Sequence, residues 1–220
     1  MASATAGPRP LLLRPLAKPL VFALCLLPFL WLVFRAFTDQ LGANPTEALV
    51  RATGDWTLRS VCIVLAVTPL RVLTQTPALA RFRRMLGLFC YFYALLHLLS
   101  YSGFDMGFDV GEIARDIAKR PFILVGFSAF VLLTLLAATS FNAAIKALGA
   151  RRWQWLHRLV YLIAGLGLLH FFWMRAAKNN FNEVFVYAAI VAALLGWRLW
   201  NYASKQRRRQ VSGRPAVGLR

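Results

Sequence analysis

Six long apolar runs punctuate the chain, at about residues 20–37, 56–73, 85–101, 122–140, 153–173 and 183–202. Each approaches the roughly 20 residues that a helix needs to cross a bilayer core. None shows the strict alternation of a membrane barrel strand, and a lone helix satisfies its own backbone in lipid. The pattern therefore predicts an all-α, polytopic membrane protein, a six-transmembrane-helix bundle with short connections. Pro121 falls at the start of the fourth run, where its missing N–H is harmless, whereas Pro28 and Pro69 predict kinks in the first and second.

Composition agrees: 59% of the residues are hydrophobic, against roughly 45–50% apolar residues in soluble domains, and the mean hydropathy is +0.57. Six spans in 220 residues leave no room for a separate soluble domain, so any chemistry belongs to the bundle. Residues 1–19, with four prolines and no helical period, read as a disordered cytoplasmic lead, residues 20–202 as the six-helix domain, and 203–220 as a basic cytoplasmic tail. The first run has a basic flank but no small-residue cleavage site after it, so it reads as a retained span.

The net charge of +18 does not form a nucleic-acid module. Sixteen of the 26 basic residues fall into four segments that share one side if the N-terminus is inside: Arg9 to Lys18, Arg71 to Arg84, Lys146 to Arg152, and Lys205 to Arg220. The positive-inside rule then places both termini in the cytoplasm. Cys25, Cys62 and Cys90 lie in three different runs and offer no disulfide framework. Residues 103–120 carry Asp105, Asp109, Glu112 and Asp116 on the outer side, and their GFDMGFDVG duplication is too short for a calcium-binding array. They read as a solvated turn, with a docking surface for a soluble partner as the lesser alternative.

The three histidines, His97, His157 and His170, all fall within the apolar runs. Ionisable groups at membrane depth mark functional sites by default, and a neutral imidazole is a common haem ligand. From Arg84, His97 lies ~20 Å along the third helix, and the 13-residue step from His157 to His170 along the fifth covers a similar rise. His97 and His170 therefore share an outer depth and can clamp one haem iron from both faces. His157 is left on the inner side, where the matching positions on the third helix are Arg83 and Arg84, which cannot ligate iron. For His157, iron ligation and a structural or second-cofactor role stand level. Arg158 and Arg59, placed within spans, call for anions such as haem propionates, a flavin phosphate or lipid phosphates, or else snorkel to the headgroups.

The runs RMLGLFCYFYALLH (84–97), RPF (120–122), TS (139–140) and LGARRWQWLHRLVY (148–161), then His170, with GDW (54–56) and VTPLR (67–71), closely resemble the haem-binding membrane subunit of the bacterial periplasmic methionine-sulfoxide reductase system, in the wider ferric-reductase-like transmembrane group. The resemblance covers about residues 20–200. It implies an inner-membrane cytochrome b that takes electrons from the quinone pool or a cytoplasmic flavin reductase. They pass to a periplasmic molybdenum-containing catalytic subunit, which repairs oxidised periplasmic proteins. It further implies haem b and FMN as cofactors, and all three histidines match family positions. Like that family, the chain lacks the second histidine on the third helix found in two-haem ferric reductases. One outer haem leaves the inner half-bilayer without a carrier. A flavin or quinone near His157, Arg158, Arg151 and Arg152 would fill that gap, although no Gly-rich flavin fingerprint is present.

Two competing functions remain. A metal-ion or oxygen reductase would need a borrowed nucleotide-binding module, since no strand–Gly-rich–helix unit exists here. A small transporter or scaffold would carry an internal repeat or helices broken around a midplane polar site, and neither pattern is present.

Overall fold

The computed structural model describes residues 11–176 and 179–211. The lead up to residue 10, the tail from 212, and Ala177 and Lys178 lie outside the described residues, with whatever the sequence predicts for them. Eight α-helices are described: α1 (Ala17–Phe37), α2 (Pro45–Leu73), α3 (Arg83–Ser100), α4 (Val110–Lys119), α5 (Pro121–Ala138), α6 (Asn142–Leu156), α7 (Leu159–Ala176) and α8 (Asn182–Val211). Short 3₁₀ turns cover Leu11–Leu13 and Pro77–Phe82, and a π-helical turn, Tyr101–Asp105, prolongs α3. No strand occurs among the described residues. Six segments are long and apolar enough to cross a membrane: α1, α2, α3 with its flanking turns, α5, α7 and α8.

The core lies where α2, α3, α5, α7 and α8 meet, at Val61, Cys62 and Leu65, Cys90 and Ala94, Leu133 and Leu136, Ile163 and Ala164, and Val191. The three cysteines are free, and Cys62 and Cys90 serve as small core residues. The most extensive helix packing joins α2 to α3 and α5 to α7. Helix α1 lies at the edge and exposes Leu20, Leu24, Leu27 and Trp31, an apolar surface suited to lipid.

Several boundaries differ from the sequence reading. Helix α1 begins at Ala17, inside the segment read as a lead, and Arg81 donates a 2.7 Å hydrogen bond to the Leu12 carbonyl just before it. Helix α2 starts at Pro45, well before the apolar run. Asn44 caps it by accepting from the Glu47 amide at 3.1 Å, and Pro45 occupies the first turn. Glu47, Arg51, Asp55 and Arg59 recur every four residues there, a charged stripe that hides helical continuity from hydropathy.

The loop read as a solvated turn contains α4. Asp109 caps it by accepting from the Glu112 amide at 2.9 Å, while Ile113 and Ile117 share one face. Tyr101 donates to Asp116 at 2.6 Å and ties α4 to the end of α3.

The predicted fifth span, 153–173, is not one helix. It breaks at His157 and Arg158 between α6 and α7, so His157 sits at the cap of α6 and outside the span that α7 forms. Helix α6 carries Lys146, Arg151 and Arg152 and bends at Gly149, where φ is 73°. Such a segment suits a membrane surface better than lipid. Trp153 pins its end by donating to the Thr139 carbonyl at 2.9 Å.

Candidate functional site

Each of the two main helix pairs presents one histidine to the other pair. His97, on α3, lies against α2, and its Nδ1 is 2.9 Å from the Val50 carbonyl. His170, on α7, lies against α5, and its Nδ1 is 2.7 Å from the Phe122 carbonyl. A carbonyl only accepts, so each Nδ1 carries the proton and each Nε2 keeps its lone pair. Neither Nε2 has a hydrogen-bond partner among the described residues.

The two rings are neighbours, with centroids 6.2 Å apart and planes 75° apart. Imidazole nitrogens bind first-row metals at ~2 Å, which places the centroids of two rings on opposite sides of one shared metal roughly 6 Å apart. Both histidines line one cavity of about 320 Å³ between α2, α3, α5 and α7. Its walls include Leu133, Phe127, Phe130 and Phe171, and Arg51, Arg120 and Arg175 also line it. Each arginine is paired with an acid: Arg51 with Glu47, Arg120 with Asp116 at 2.9 Å, and Arg175 with Glu183.

Among the described residues no group of three or more His, Cys, Asp or Glu side chains is arranged to hold a metal ion. Two neighbouring imidazoles are an incomplete set for a bare ion but could supply both side-chain ligands that a porphyrin iron takes from a protein. The donor chemistry, the ring spacing and the apolar cavity therefore fit a haem.

His157 is not brought to this pair. Its ring stacks on Trp153 with centroids 3.9 Å apart, Nδ1 lies 3.0 Å from the Trp153 carbonyl, and Nε2 is 3.4 Å from Ser140 Oγ. Arg83 and Arg84, at the α3 positions level with it, are used as ties between helices. They donate to Thr68 Oγ1 at 2.8 Å and to Asn142 Oδ1 at 2.6 Å. Arg59 also stays out of the cavity lining: it lies over the Trp56 ring at 4.9 Å and donates to the Tyr187 hydroxyl at 3.1 Å. Arg151, Arg152 and Arg158 are exposed around the α6–α7 junction.

Residues 53–168 match the family model described as ferric reductase like transmembrane component. The protein-methionine-sulfoxide reductase heme-binding subunit of Polaromonas naphthalenivorans is 80% identical over 219 residues, covering all of both chains. Proteins with the same name from Herminiimonas arsenicoxydans and Ralstonia nicotianae are 53% and 54% identical, each over about nine-tenths of both chains. The chain belongs to the ferric-reductase-like transmembrane family. No solved structure matches it. The family model spans His97 and His157 and ends just before His170, while the full-length relative extends across all three.

His97 and His170, which helical rise puts at one depth, do come together, but the groups that hold His97 lie outside the predicted spans. Val50, Thr53 and Gly54 lie in the turns of α2 that the hydropathy boundary cut off. Thr53 is buried, with Oγ1 3.5 Å from His97 Nδ1. The Asn44-Pro45-x-Glu47 cap was the signal that could have found those turns.

Proposed function

We propose that this chain is a haem b-containing electron-transfer subunit of the cell inner membrane, in which His97 and His170 would hold the iron of one haem. One observation carries the reading: two imidazoles with committed Nδ1 atoms and free Nε2 atoms lie 6.2 Å apart, centroid to centroid, in a single largely apolar cavity. The relatives' name, heme-binding subunit, supports the same group. When bound, the haem supplies one-electron transfer at its iron.

The rest is the work of this chain's own residues. The Val50 and Phe122 carbonyls fix the tautomer and aim of each ring, as partners of metal-bound histidines commonly do. Phe127, Phe130 and Phe171 line the cavity with apolar surface, which disfavours water beside the ligands. Arg51, Arg120 and Arg175 would hold the propionates, each dividing its donors between its present acid and the bound carboxylate.

In this reading both termini are cytoplasmic. Electrons arrive from the quinone pool or a cytoplasmic flavin reductase and leave to a periplasmic molybdenum-containing methionine-sulfoxide reductase subunit. That partner, not this chain, reduces the sulfoxide in oxidised proteins. FMN would belong at the opposite end of the bundle, where Arg151, Arg152 and Arg158 supply positive charge beside His157.

Purified wild type and single-histidine variants test the proposal. His97→Ala and His170→Ala are each expected to abolish the low-spin absorbance spectrum, and an unchanged spectrum in either removes that residue as a ligand. Flavin released on denaturing fully haem-loaded protein measures the FMN assignment, and none released overturns it.

A further inference from the structure

Both imidazoles rest on a glycine. A Cβ built on Gly54 would stand 3.0 Å from His97 Cε1 and 3.1 Å from its Nδ1. One built on Gly126 would stand 2.7 Å from His170 Nδ1 and 2.9 Å from its Cε1. Gly54 follows Val50, whose carbonyl accepts from His97, by four residues, and Gly126 follows Phe122 by the same four. In a helix, residues four apart lie one above the other, so a side chain at the later position covers the approach to the earlier carbonyl. The two sites thus use one device on two unrelated helices: a carbonyl that accepts Nδ1–H, and a bare position one turn on where the ring lies against the backbone.

A Cβ at Gly103 or Gly111 would also meet a close neighbour, Phe108 at 2.8 Å and Asp109 Oδ1 at 3.2 Å, but both contacts are local to the α3–α4 connection and neither involves a histidine. A Cβ at Gly87, Gly165, Gly167 or Gly196 would meet nothing within 4 Å. Glycine weakens a helix relative to alanine, and at Gly54 and Gly126 that local cost is offset by the close approach of a ring that a Cβ would obstruct.

We infer that Gly54 and Gly126 are the positioning residues of the two ligand histidines, setting how closely each imidazole approaches its carbonyl and hence how strongly it donates to the iron. The inference rests on the proposed ligation by His97 and His170. An Nδ1–H bond to a carbonyl raises the basicity of the other nitrogen, which favours the oxidised iron. A methyl at either glycine pushes the ring off the backbone, weakens that bond and turns the ring plane. Because the neighbour that must move is a side chain, the helices keep their packing while the ligand loses its aim.

The test uses full-length protein in detergent, with Gly54→Ala, Gly126→Ala and, as control, Gly165→Ala. Haem content, the low-spin electron paramagnetic resonance spectrum and the midpoint potential are read for each. Gly126→Ala, with the closer contact, is expected to lose the six-coordinate low-spin signal. Gly54→Ala is expected to retain haem with an upward shift in potential and an altered low-spin signal. Gly165→Ala is expected to match wild type.

A fourth comparison isolates the route through the ring. In His170→Gly, added free imidazole is expected to restore the low-spin spectrum equally with and without Gly126→Ala, because an untethered ligand needs no seat. Wild-type spectrum and potential in both single glycine variants would overturn the inference, as would equal damage from Gly165→Ala or failure of imidazole rescue only in the double variant. If Gly126→Ala does not fold, Gly54→Ala, whose neighbour need shift only slightly, decides alone. Retention of the low-spin spectrum by His170→Ala would instead sink the ligation itself, a separately readable result.

Discussion

At the scale of residues, the angle between the two rings is itself a prediction. His97 and His170 have planes 75° apart, each ring held by its own carbonyl. Near-perpendicular axial imidazoles give ferric haem a highly anisotropic low-spin resonance, and parallel ones give an ordinary rhombic spectrum. We expect the former from the frozen oxidised protein, and a rhombic spectrum would show that the rings turn on binding. The arginines at the cavity give a second expectation. Arg120 pairs with Asp116, but its side chain is 55% exposed, and pairs of that kind contribute ~1 kcal/mol or less. Arg120→Gln should therefore leave thermal stability of the haem-free protein nearly unchanged while increasing haem loss to a competing acceptor protein. Equal retention by the variant would remove Arg120 from the propionate clamp. The histidines were readable because helical rise converts spacing into depth. Their glycine seats were not, because a glycine in an apolar run carries no periodic signal and its value lies in what approaches it from another helix.

Among the elements, α2 and α4 show where hydropathy stops being informative. Both begin with a capping arrangement, Asn44 with Glu47 and Asp109 with Glu112, and both carry charges that break the apolar run. The caps were written in the sequence, yet a reading tuned to membrane length passed over them. The break between α6 and α7 was harder to see, since the run through His157 is apolar enough to look continuous. What divides it is tertiary: the bond from Trp153 to Thr139 and the contact of His157 with Ser140 hold the corner against the end of α5. Helix α4 gives a local test. Removing an aspartate cap costs about 1 kcal/mol, so Asp109→Ala should speed amide hydrogen exchange in the first turn of α4 without changing exchange in α3. Unchanged exchange there would mean that Tyr101 and Asp116, not the cap, hold the helix.

For the whole molecule, the six spans and the overall class were legible from hydrophobic runs alone, because crossing lipid demands length and apolarity from each helix independently. The acidic residues are confined to one end, where they are mixed with basic ones. Asp39, Glu47, Asp55, Asp105, Asp109, Glu112, Asp116 and Glu183 all lie toward the end that holds His97 and His170, whereas Lys146, Arg151, Arg152 and Lys205 lie at the other. With the proposed orientation, an impermeant amine reagent should label exposed Lys119 from the periplasmic side and reach Lys146 only after the membrane is opened; the reverse pattern would invert the topology. The division of the site between α2–α3 and α5–α7 has a consequence for assembly. Each pair brings half of a grip, so a cofactor joined to both would act as a clasp across the seam between them, and a ligand that binds only the closed form raises its stability. The nascent chain could not fasten that clasp until α7 had entered the bilayer, which makes haem capture a late checkpoint on a finished bundle.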